Sequence, residues 1–335
     1  MEADNTSDRL VMNREETKPQ IVRFNELKPC KTAFIDAHTP GSDQKDNFTI
    51  IGPGVSESPD QHVHISETPG FNIGAAGQPP KCINSLHSHT TAEVFFVLKG
   101  RWRFFWGRWG TAGEVIIEEG DIFNVPTGMF RAFENIGNDY GMLMAILGGD
   151  DAGGSVTWAP QVIEEAEKYG LILGENGLLY DIKKGESLPK NINPVPLLTE
   201  EELKSFPEIP SEEVVRDYVV RYSVLTELAE SSTVKVIGED ALLKDRPGFE
   251  VEFLTGDSSS KNMYSTSRHE VLMIMKGHWN LSWDGGSTTL GPGDTCSMPP
   301  SLELQFFPTN SQKSSLFLVT NTDDPAGLTW RFKEQ

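Results

Sequence analysis

HSHTTAEVFFVLKG, residues 87–100, is the stretch that decides the fold. It opens with two histidines two positions apart, His87 and His89, places Glu93 four positions later, and ends in an apolar run closed by glycine. Side chains on a strand alternate between its two faces, so the two imidazoles point the same way. A short turn at 90–92 then allows Glu93 to join them.

Two imidazoles and a carboxylate on one wall form a facial set of metal ligands, which leaves open positions for substrate or oxygen. The sequence therefore predicts a divalent metal ion on His87, His89 and Glu93. Fe(II) is the first choice for such a set, and Mn(II), Ni(II) and Zn(II) are alternatives.

A second stretch, GDIFNVPTGMFRAFEN at 120–135, carries the resemblance to a known family. His-x-His, three residues, Glu, six residues, Gly is the first motif of the cupin superfamily, and 87–100 fits it in full. The second cupin motif is Gly, five residues, Pro-x-Gly, two residues, His, three residues, Asn. Four of its five positions are in place: Gly120, Pro126, Gly128 and Asn135.

An internal repeat extends the resemblance to both halves of the chain. GRWRFFWG at 100–107 matches GHWNLSWD at 277–284, and EEGDIFNVPTG at 118–128 matches GPGDTCSMPPS at 291–301. The chain thus resembles a bicupin, most closely the quercetin 2,3-dioxygenase type. The resemblance implies an all-β fold of two tandem jelly-roll barrels, each a double-stranded β-helix.

Two helical patterns interrupt the strand-like sequence between the barrels. APQVIEEAEKYG begins at residue 159, and TEEELKSF begins at Thr199 with Glu202 in the arrangement of a capping box. Helical structure is broken between 185 and 212 by five prolines, Pro189, Pro194, Pro196, Pro207 and Pro210. The region is therefore predicted to be a partly helical connection. The predicted division is therefore an N-terminal arm (1–20), a first cupin domain (21–158), a linker (159–215) and a second cupin domain (216–335). VRF at 22–24 and VRY at 220–222 would mark the two starts.

Arg131 departs from the family pattern, because it stands where the second motif has its histidine. Arginine stays protonated and does not bind metals. In one interpretation three ligands still hold a metal, and Arg131 is a catalytic residue that binds an anionic group of the substrate. Phe95 and Phe133 would then form an aromatic wall for a small aromatic or anionic substrate. In the other, Arg131 pairs with Glu93, no metal is held, and the protein binds a small molecule without turnover.

The second barrel has lost this set of residues. Its positions corresponding to the four usual ligands are Tyr264, Thr266, Glu270 and Leu304. One carboxylate among these side chains is not a credible metal site. We expect this barrel to be structural, or to form a pocket without metal, with His269 on the opposite face.

His62 and His64 form another His-x-His pair, which either faces the same cavity and replaces the lost ligand or lies on a solvated face. The three cysteines form no metal or disulfide pattern. Of these, Cys82 lies five residues before His87 and is expected to be a buried thiol.

The net charge of −20 argues against nucleic acid and anionic membranes as partners. No stretch has the length and hydrophobicity of a membrane span or the pattern of a signal peptide, which predicts a cytoplasmic protein. A small-molecule substrate and a possible homodimer complete the sequence-based expectations.

Overall fold

The computed structural model describes residues 18–149, 156–230, 233–245, 248–257, 262–265, 267–309 and 313–324, with no side-chain description at 262–264. Its elements are short strands with a few helices between the two halves. The strands of the first half are Gln20–Val22 (β1), Asp46–Ile51 (β2), Val63–Ile65 (β3), Phe71–Gln78 (β4), Ile83–Ser88 (β5), Glu93–Lys99 (β6), Arg101–Trp106 (β7), Gly113–Glu118 (β8), Ile122–Val125 (β9), Arg131–Asn135 (β10), Gly141–Gly148 (β11) and Thr157–Trp158 (β12).

The connection contains both helices and short strands, and the second half consists of short strands. The connection contains Pro160–Lys168 (α1), Leu171–Leu173 (β13), Leu179–Asp181 (β14), Glu200–Leu203 (α2), Ser211–Tyr218 (α3), Val219–Val220 (β15) and Tyr222–Leu228 (α4). The second half contains Val234–Ile237 (β16), Phe249–Gly256 (β17), Asn262–Ser265 (β18), Glu270–Lys276 (β19), Trp279–Trp283 (β20), Gly286–Leu290 (β21), Thr295–Met298 (β22), Glu303–Pro308 (β23) and Ser314–Asn321 (β24). Short 3-10 helices lie at Phe24–Glu26, Ile35–His38 and Ile182–Lys184.

Each half folds into two facing sheets. In the first half the sheet orders are β15-β9-β6-β11-β4-β2-β3 and β12-β5-β10-β7-β8. In the second half they are β1-β22-β19-β24-β17-β16 and β18-β23-β20-β21, and a separate β13-β14 pair lies in the connection. Between the strands named above, β2 pairs in parallel with β3 and the other pairings are antiparallel. The predicted all-β fold of two tandem jelly-roll barrels with a partly helical connection is confirmed.

Strand β7 shows how the sequence builds the first barrel. Trp102, Phe104 and Trp106 are fully buried, whereas Arg101 and Arg103, which alternate with them, lie toward solvent. The inward side chains belong to a core that fills the space between the two sheets. The tryptophans therefore pack the barrel and do not form a cofactor site.

Strand β6 is apolar between Glu93 and Lys99 because both faces of this run are buried. Phe95 belongs to the core of the first barrel, whereas Phe96 packs against Phe317 of the second barrel, with ring centroids 4.7 Å apart. A second aromatic pair, Phe71 and Phe249, crosses the same junction at 5.6 Å. One large apolar cluster therefore joins the two barrels.

The two barrels also exchange strands. β1, which precedes the first barrel in sequence, pairs with β22 of the second barrel. There Arg23 Nη1 donates to Asp294 Oδ2 at 2.7 Å, and the Phe24 backbone N–H donates to Asp294 Oδ1 at 2.9 Å. The segment 20–22 is thus part of the second barrel's sheet.

The reciprocal exchange occurs at the start of the second repeat. β15 pairs with β9 of the first barrel. Arg221 Nη1 donates to Asp121 Oδ2 at 2.7 Å, and the Tyr222 backbone N–H donates to Asp121 Oδ1 at 2.8 Å. The VRF and VRY segments therefore have equivalent roles, each docked on the Gly-Asp turn of the opposite barrel.

The connection packs against the first barrel. Helix α1 occupies most of the predicted pattern from 159, and α2 has the predicted capping box, with Glu202 N–H on Thr199 Oγ1 at 3.2 Å. The sequence-based interpretation did not include α3 and α4, although α3 begins directly after Pro210. None of the helices in the described segments has the length and hydrophobicity needed to cross a membrane.

Candidate functional site

The sequence-predicted ligands meet at one end of the first barrel. His87 lies at the end of β5, His89 directly follows that strand, and Glu93 begins β6. All three are buried, and one potential ligand atom from each lies within 4.8 Å of the others. The period-two alternation and the tight turn at 90–92 bring them together as predicted.

The imidazole of His87 is held in a defined tautomer. Its Nδ1 lies 2.7 Å from the Ser85 carbonyl oxygen, which can only accept, so Nδ1 carries the proton and Nε2 carries the lone pair. Burial, followed by the nearby Arg131 and His89, lowers the pKa of His87 well below its usual value. A neutral imidazole whose other nitrogen donates to a backbone carbonyl is the usual state of a metal-binding histidine.

Arg131 lies next to His87, its register partner on β5, and points at Glu93. Its Nε donates to Glu93 Oε2 at 3.0 Å, and its Nη2 donates to the same oxygen. Nη1 donates to the His87 carbonyl oxygen at 3.3 Å. The guanidinium of Arg131 is therefore held by the side chain of Glu93 and by the backbone of His87.

This ion pair determines the charge of Glu93. Burial alone would raise the pKa of the carboxyl, but Arg131 and then His89 more than offset burial and hold the pKa below its usual range. Because Arg131 occupies only Oε2, Oε1 is the oxygen on the side of His89, whose Nε2 lies 3.6 Å away. Glu93 is thus an oriented, ionised carboxylate.

These residues fit a divalent ion. Metal bonds to nitrogen and carboxylate oxygen are about 2.1 Å long, so two ligands at right angles are about 3 Å apart. The separation between His89 Nε2 and Glu93 Oε1 is close to that value, and His87 presents a lone pair. Two histidines and one carboxylate match the donor set of non-haem Fe(II) sites.

A cavity extends from the three ligands into the barrel. The space between its walls is about 700 Å³ when the open solvent at its mouth is included. Its walls are mainly apolar and include Phe95 and Phe133, as predicted, together with Phe34 and Trp158. These side chains also pack on one another: the Phe95 and Phe133 rings are 5.3 Å apart, and Trp158 lies 5.4 Å from His87.

Arg131 differs from the sequence-based expectation. The side chain is 1% exposed and is not among the residues that line the cavity. Its hydrogen bonds to Glu93 and to the backbone of His87 place it behind the ligand set. The pairing of Arg131 with Glu93 matches the second interpretation of the sequence, and direct contact with substrate stays a prediction without support from this geometry.

Glu57 is a buried carboxyl that the sequence did not single out. It accepts hydrogen bonds from Trp158 Nε1 at 2.6 Å and from the Ile35 backbone N–H at 2.9 Å, and its own N–H donates to the Ala33 carbonyl at 2.8 Å. Burial raises its pKa to about 8 despite these hydrogen bonds. Glu57 therefore ties together three segments that line one side of the cavity.

His62 and His64 lie away from this site. His64 Nδ1 contacts the Thr49 carbonyl at 2.7 Å, and its Nε2 accepts from the Lys28 backbone N–H at 3.2 Å. Neither histidine lines the cavity, so His64 is a structural residue. Cys82 is a buried thiol, whereas Cys30 lines the cavity.

Apolar side chains form a core in the described part of the second barrel. Leu304, at the position of the last ligand, belongs to an apolar core with Leu272 and Met298. Glu270 is buried, and His269 Nε2 contacts Ser297 Oγ at 2.7 Å. Thr266 and the side chain of Tyr264 lie outside the described residues.

Comparison with known proteins agrees with this geometry. Residues 77–147 match the family model described as a cupin domain. The fold is similar to salicylate 1,2-dioxygenase from Pseudaminobacter salicylatoxidans, at 13% identity and a TM-score of 0.51 over 94% of this chain and 87% of that one. The chain has the bicupin fold, and its first barrel contains a cupin domain.

Two other solved structures share the bicupin fold. A variant of Bacillus subtilis oxalate decarboxylase is 16% identical, with a TM-score of 0.52 over 92% of this bicupin and 78% of that chain. The protein Ylba from E. coli is 11% identical, with a TM-score of 0.52 over 93% and 96%. No curated protein matches the bicupin in a sequence search. Similarities at this level of identity establish the fold alone.

Proposed function

We propose that this bicupin is a metal-dependent oxygenase that acts on a small, largely apolar aromatic substrate in its first barrel. The observation that carries the proposal is the convergence of three ligand atoms at the end of an apolar cavity. His87, His89 and Glu93 would hold the ion, with Fe(II) as the first choice and Mn(II), Ni(II) or Zn(II) as alternatives. The bound metal would supply Lewis acidity and redox chemistry for activating substrate and dioxygen.

The remaining side chains bind and position. Arg131 keeps Glu93 ionised and directs one carboxylate oxygen toward the histidines, so it is a positioning residue in this proposal. Ser85 fixes the tautomer of His87 through its carbonyl. Phe95 and Phe133 exclude water and contact the flat faces of the substrate.

The cavity walls favour an aromatic substrate over a small dianion. Structures with this fold include salicylate 1,2-dioxygenase with gentisate bound and oxalate decarboxylase. Oxalate carries two carboxylates and no apolar surface. Among the described residues that line the cavity none is a lysine or arginine, whereas Phe34, Phe95 and Phe133 offer aromatic rings. Oxidation of an aromatic compound therefore fits these walls better than decarboxylation of oxalate.

Metal quantification combined with oxygen uptake tests the proposal. Purified protein is reconstituted anaerobically with Fe(II), Mn(II), Ni(II) or Zn(II), and oxygen consumption is followed over a panel of phenolic and carboxylic compounds. We expect about one equivalent of metal in the unaltered protein and a loss of at least about tenfold in metal affinity in His89→Ala. His269→Ala, in the second barrel, is the matched control and should keep the metal.

The Arg131–Glu93 ion pair also favours a second candidate, a binding protein that holds no metal. Both Nε and Nη2 of Arg131 donate to Glu93, so the carboxylate has a counter-charge without an ion. In that case, metal would stay below about a tenth of an equivalent after reconstitution. His89→Ala would then leave small-molecule binding unchanged.

A further inference from the structure

The cavity has a second polar end, formed by the strand β2. The sheet order from the ligand set outward is β6, β11, β4 and β2. Glu93 lies on β6, and Asn47 and Thr49 lie on β2. Neighbouring strands are about 4.8 Å apart, so three spacings give about 14 Å across the strands. The register also places Asn47 in the row of Val97, four residues or about 13 Å from Glu93 along the strand. On a flat sheet the two groups would thus be about 19 Å apart, and they are closer across the curved inner face.

Small residues occupy the surface between these two ends. Phe95 on β6 is opposite Ala145 on β11, Ala145 is opposite Gly74 on β4, and Gly74 is opposite Thr49 on β2. All four line the cavity. A Cβ atom at Gly74 would lie only 3.1 Å from the Phe48 carbonyl oxygen. Glycine fits this position, and its lack of a side chain leaves space in the cavity. The row forms an apolar trough between the polar ends.

Asn47 carries a hydrogen-bond donor with no partner among the residues that the structure describes. Its backbone is occupied by Cys30, at 2.8 and 3.3 Å, but the side-chain Nδ2 is buried and makes no hydrogen bond there. The neighbouring Thr49 hydroxyl donates to Gln61 Oε1 at 2.9 Å and so retains acceptor capacity. Buried amide groups in native proteins are nearly always satisfied, by protein, water or ligand.

The charged side chains that line the cavity limit which molecules it can bind. Glu93 is the one acidic side chain among the described lining residues, and no lysine or arginine accompanies it there. A carboxylate or phosphate at the Asn47 end would therefore be buried without a counter-charge, which is costly. A neutral acceptor such as a ketone, ether or hydroxyl oxygen can be buried there with a hydrogen bond from Asn47.

We infer that the substrate is an elongated neutral aromatic molecule whose metal-binding oxygens lie at the His87, His89 and Glu93 end and whose distal oxygen accepts a hydrogen bond from Asn47. The inference rests on the proposed function, because the metal defines the first end. It makes Asn47 a specificity-determining residue. Ala145 and Gly74 set the width of the passage between the two ends.

Binding of matched catechols to the Zn(II)-loaded protein tests the inference. The probes are catechol itself and two catechols with a methyl ketone at the end of an alkyl chain, one chain short and one long enough to place the ketone oxygen roughly 14 to 19 Å from the ring oxygens. We expect at least one ketone to bind about five- to tenfold more tightly than catechol, the gain of one hydrogen bond. Asn47→Ala and Asn47→Asp should remove this gain and leave the affinity for catechol unchanged.

Two further variants distinguish the loss of the Asn47 hydrogen bond from a general effect of substitution on the protein. Asn138 is exposed, so Asn138→Ala should behave as the unaltered protein does. Ala145→Leu fills the trough and should weaken ketone binding while zinc and catechol still bind. If catechol and zinc bind but the ketones have no advantage, or if Asn47→Ala leaves the advantage intact, the inference is wrong and the proposed function stands. Failure to bind any of Fe(II), Mn(II), Ni(II) and Zn(II) overturns both, and zinc binding without catechol binding overturns the inference.

Discussion

Arg131 holds Glu93 by a single carboxylate oxygen. Nε and Nη2 both donate to Oε2, which leaves Oε1 on the side of His89. An arginine in place of a fourth ligand therefore does not compete for the oxygen that a metal would use. Where a fourth ligand would form a metal–nitrogen bond, Arg131 instead forms an ion pair that stabilises the charge of Glu93.

Removing this support should destabilise the metal-free protein. Arg131→Met leaves the carboxylate of Glu93 buried without its cation, and we expect a loss of about 3–5 kcal/mol in the free energy of unfolding. Urea denaturation in the presence of a chelator measures the loss. Arg131→Met combined with Glu93→Leu removes both charges and should recover most of the stability. A single variant that costs less than about 1 kcal/mol would contradict the ion-pair account.

Glu57 should make stability fall as the pH rises. Its pKa is raised from 4.5 to about 8 in the folded protein, so between these values the folded state binds more protons than the unfolded state. The contribution is full below the unfolded pKa, declines by up to about 1.4 kcal/mol per pH unit, and levels off above the folded pKa.

The variant Glu57→Gln isolates this contribution, because the amide cannot ionise. Relative to the unaltered protein it should gain stability progressively from about pH 5 to about pH 8. Urea unfolding at several pH values measures the difference, and Glu186→Gln, on an exposed residue, is a suitable control. A difference that does not vary with pH would show that Glu57 titrates normally.

A proline substitution in one exchanged strand should change hydrogen exchange only in the strand with which it pairs. Ile21→Pro removes a backbone donor from β1 and should speed amide hydrogen exchange in β22, at 295–298. Val220→Pro should do the same for β9, at 122–125. Each variant is the control for the other. Equal acceleration in both strands for either variant would argue against two separate exchanges.

Phe133 should contribute more to packing than to recognition. Its ring lies near those of Phe95, Phe104, Trp102 and His87. Phe133→Ala should therefore cost about 3–5 kcal/mol, and Phe133→Leu should cost less. Thermal and urea unfolding provide the measurement. A stable Phe133→Ala variant with altered ligand affinity would instead assign the ring mainly to substrate binding.

Much of the site was predictable because it depends on short-range geometry. The spacing of His87, His89 and Glu93 around one turn determines that they share a face, and the glycine–proline motif identified the strand that carries Arg131. The choice between a substrate-binding and an ion-pairing Arg131 required the position of Glu93 across the barrel. Sequence spacing within one strand does not give that distance.

Other features depend on pairings between distant segments. Asn47 lines the cavity because β2 pairs with β4, and Trp158 because β12 pairs with β5. Neither pairing has a local sequence signal. Helix α3 could have been predicted, since Pro210 precedes it and acidic residues fill its first turn, but the proline was interpreted as a breaker.

The strand exchange has a consequence for the order in which the protein can be completed during synthesis. Residues 20–22 leave the ribosome early but have no sheet to join until 295–298 have been translated. The first barrel likewise waits for 219–220 before its edge at β9 is covered. Neither barrel can be finished from its own continuous segment of chain, so a cut between the repeats would leave each half with an open edge.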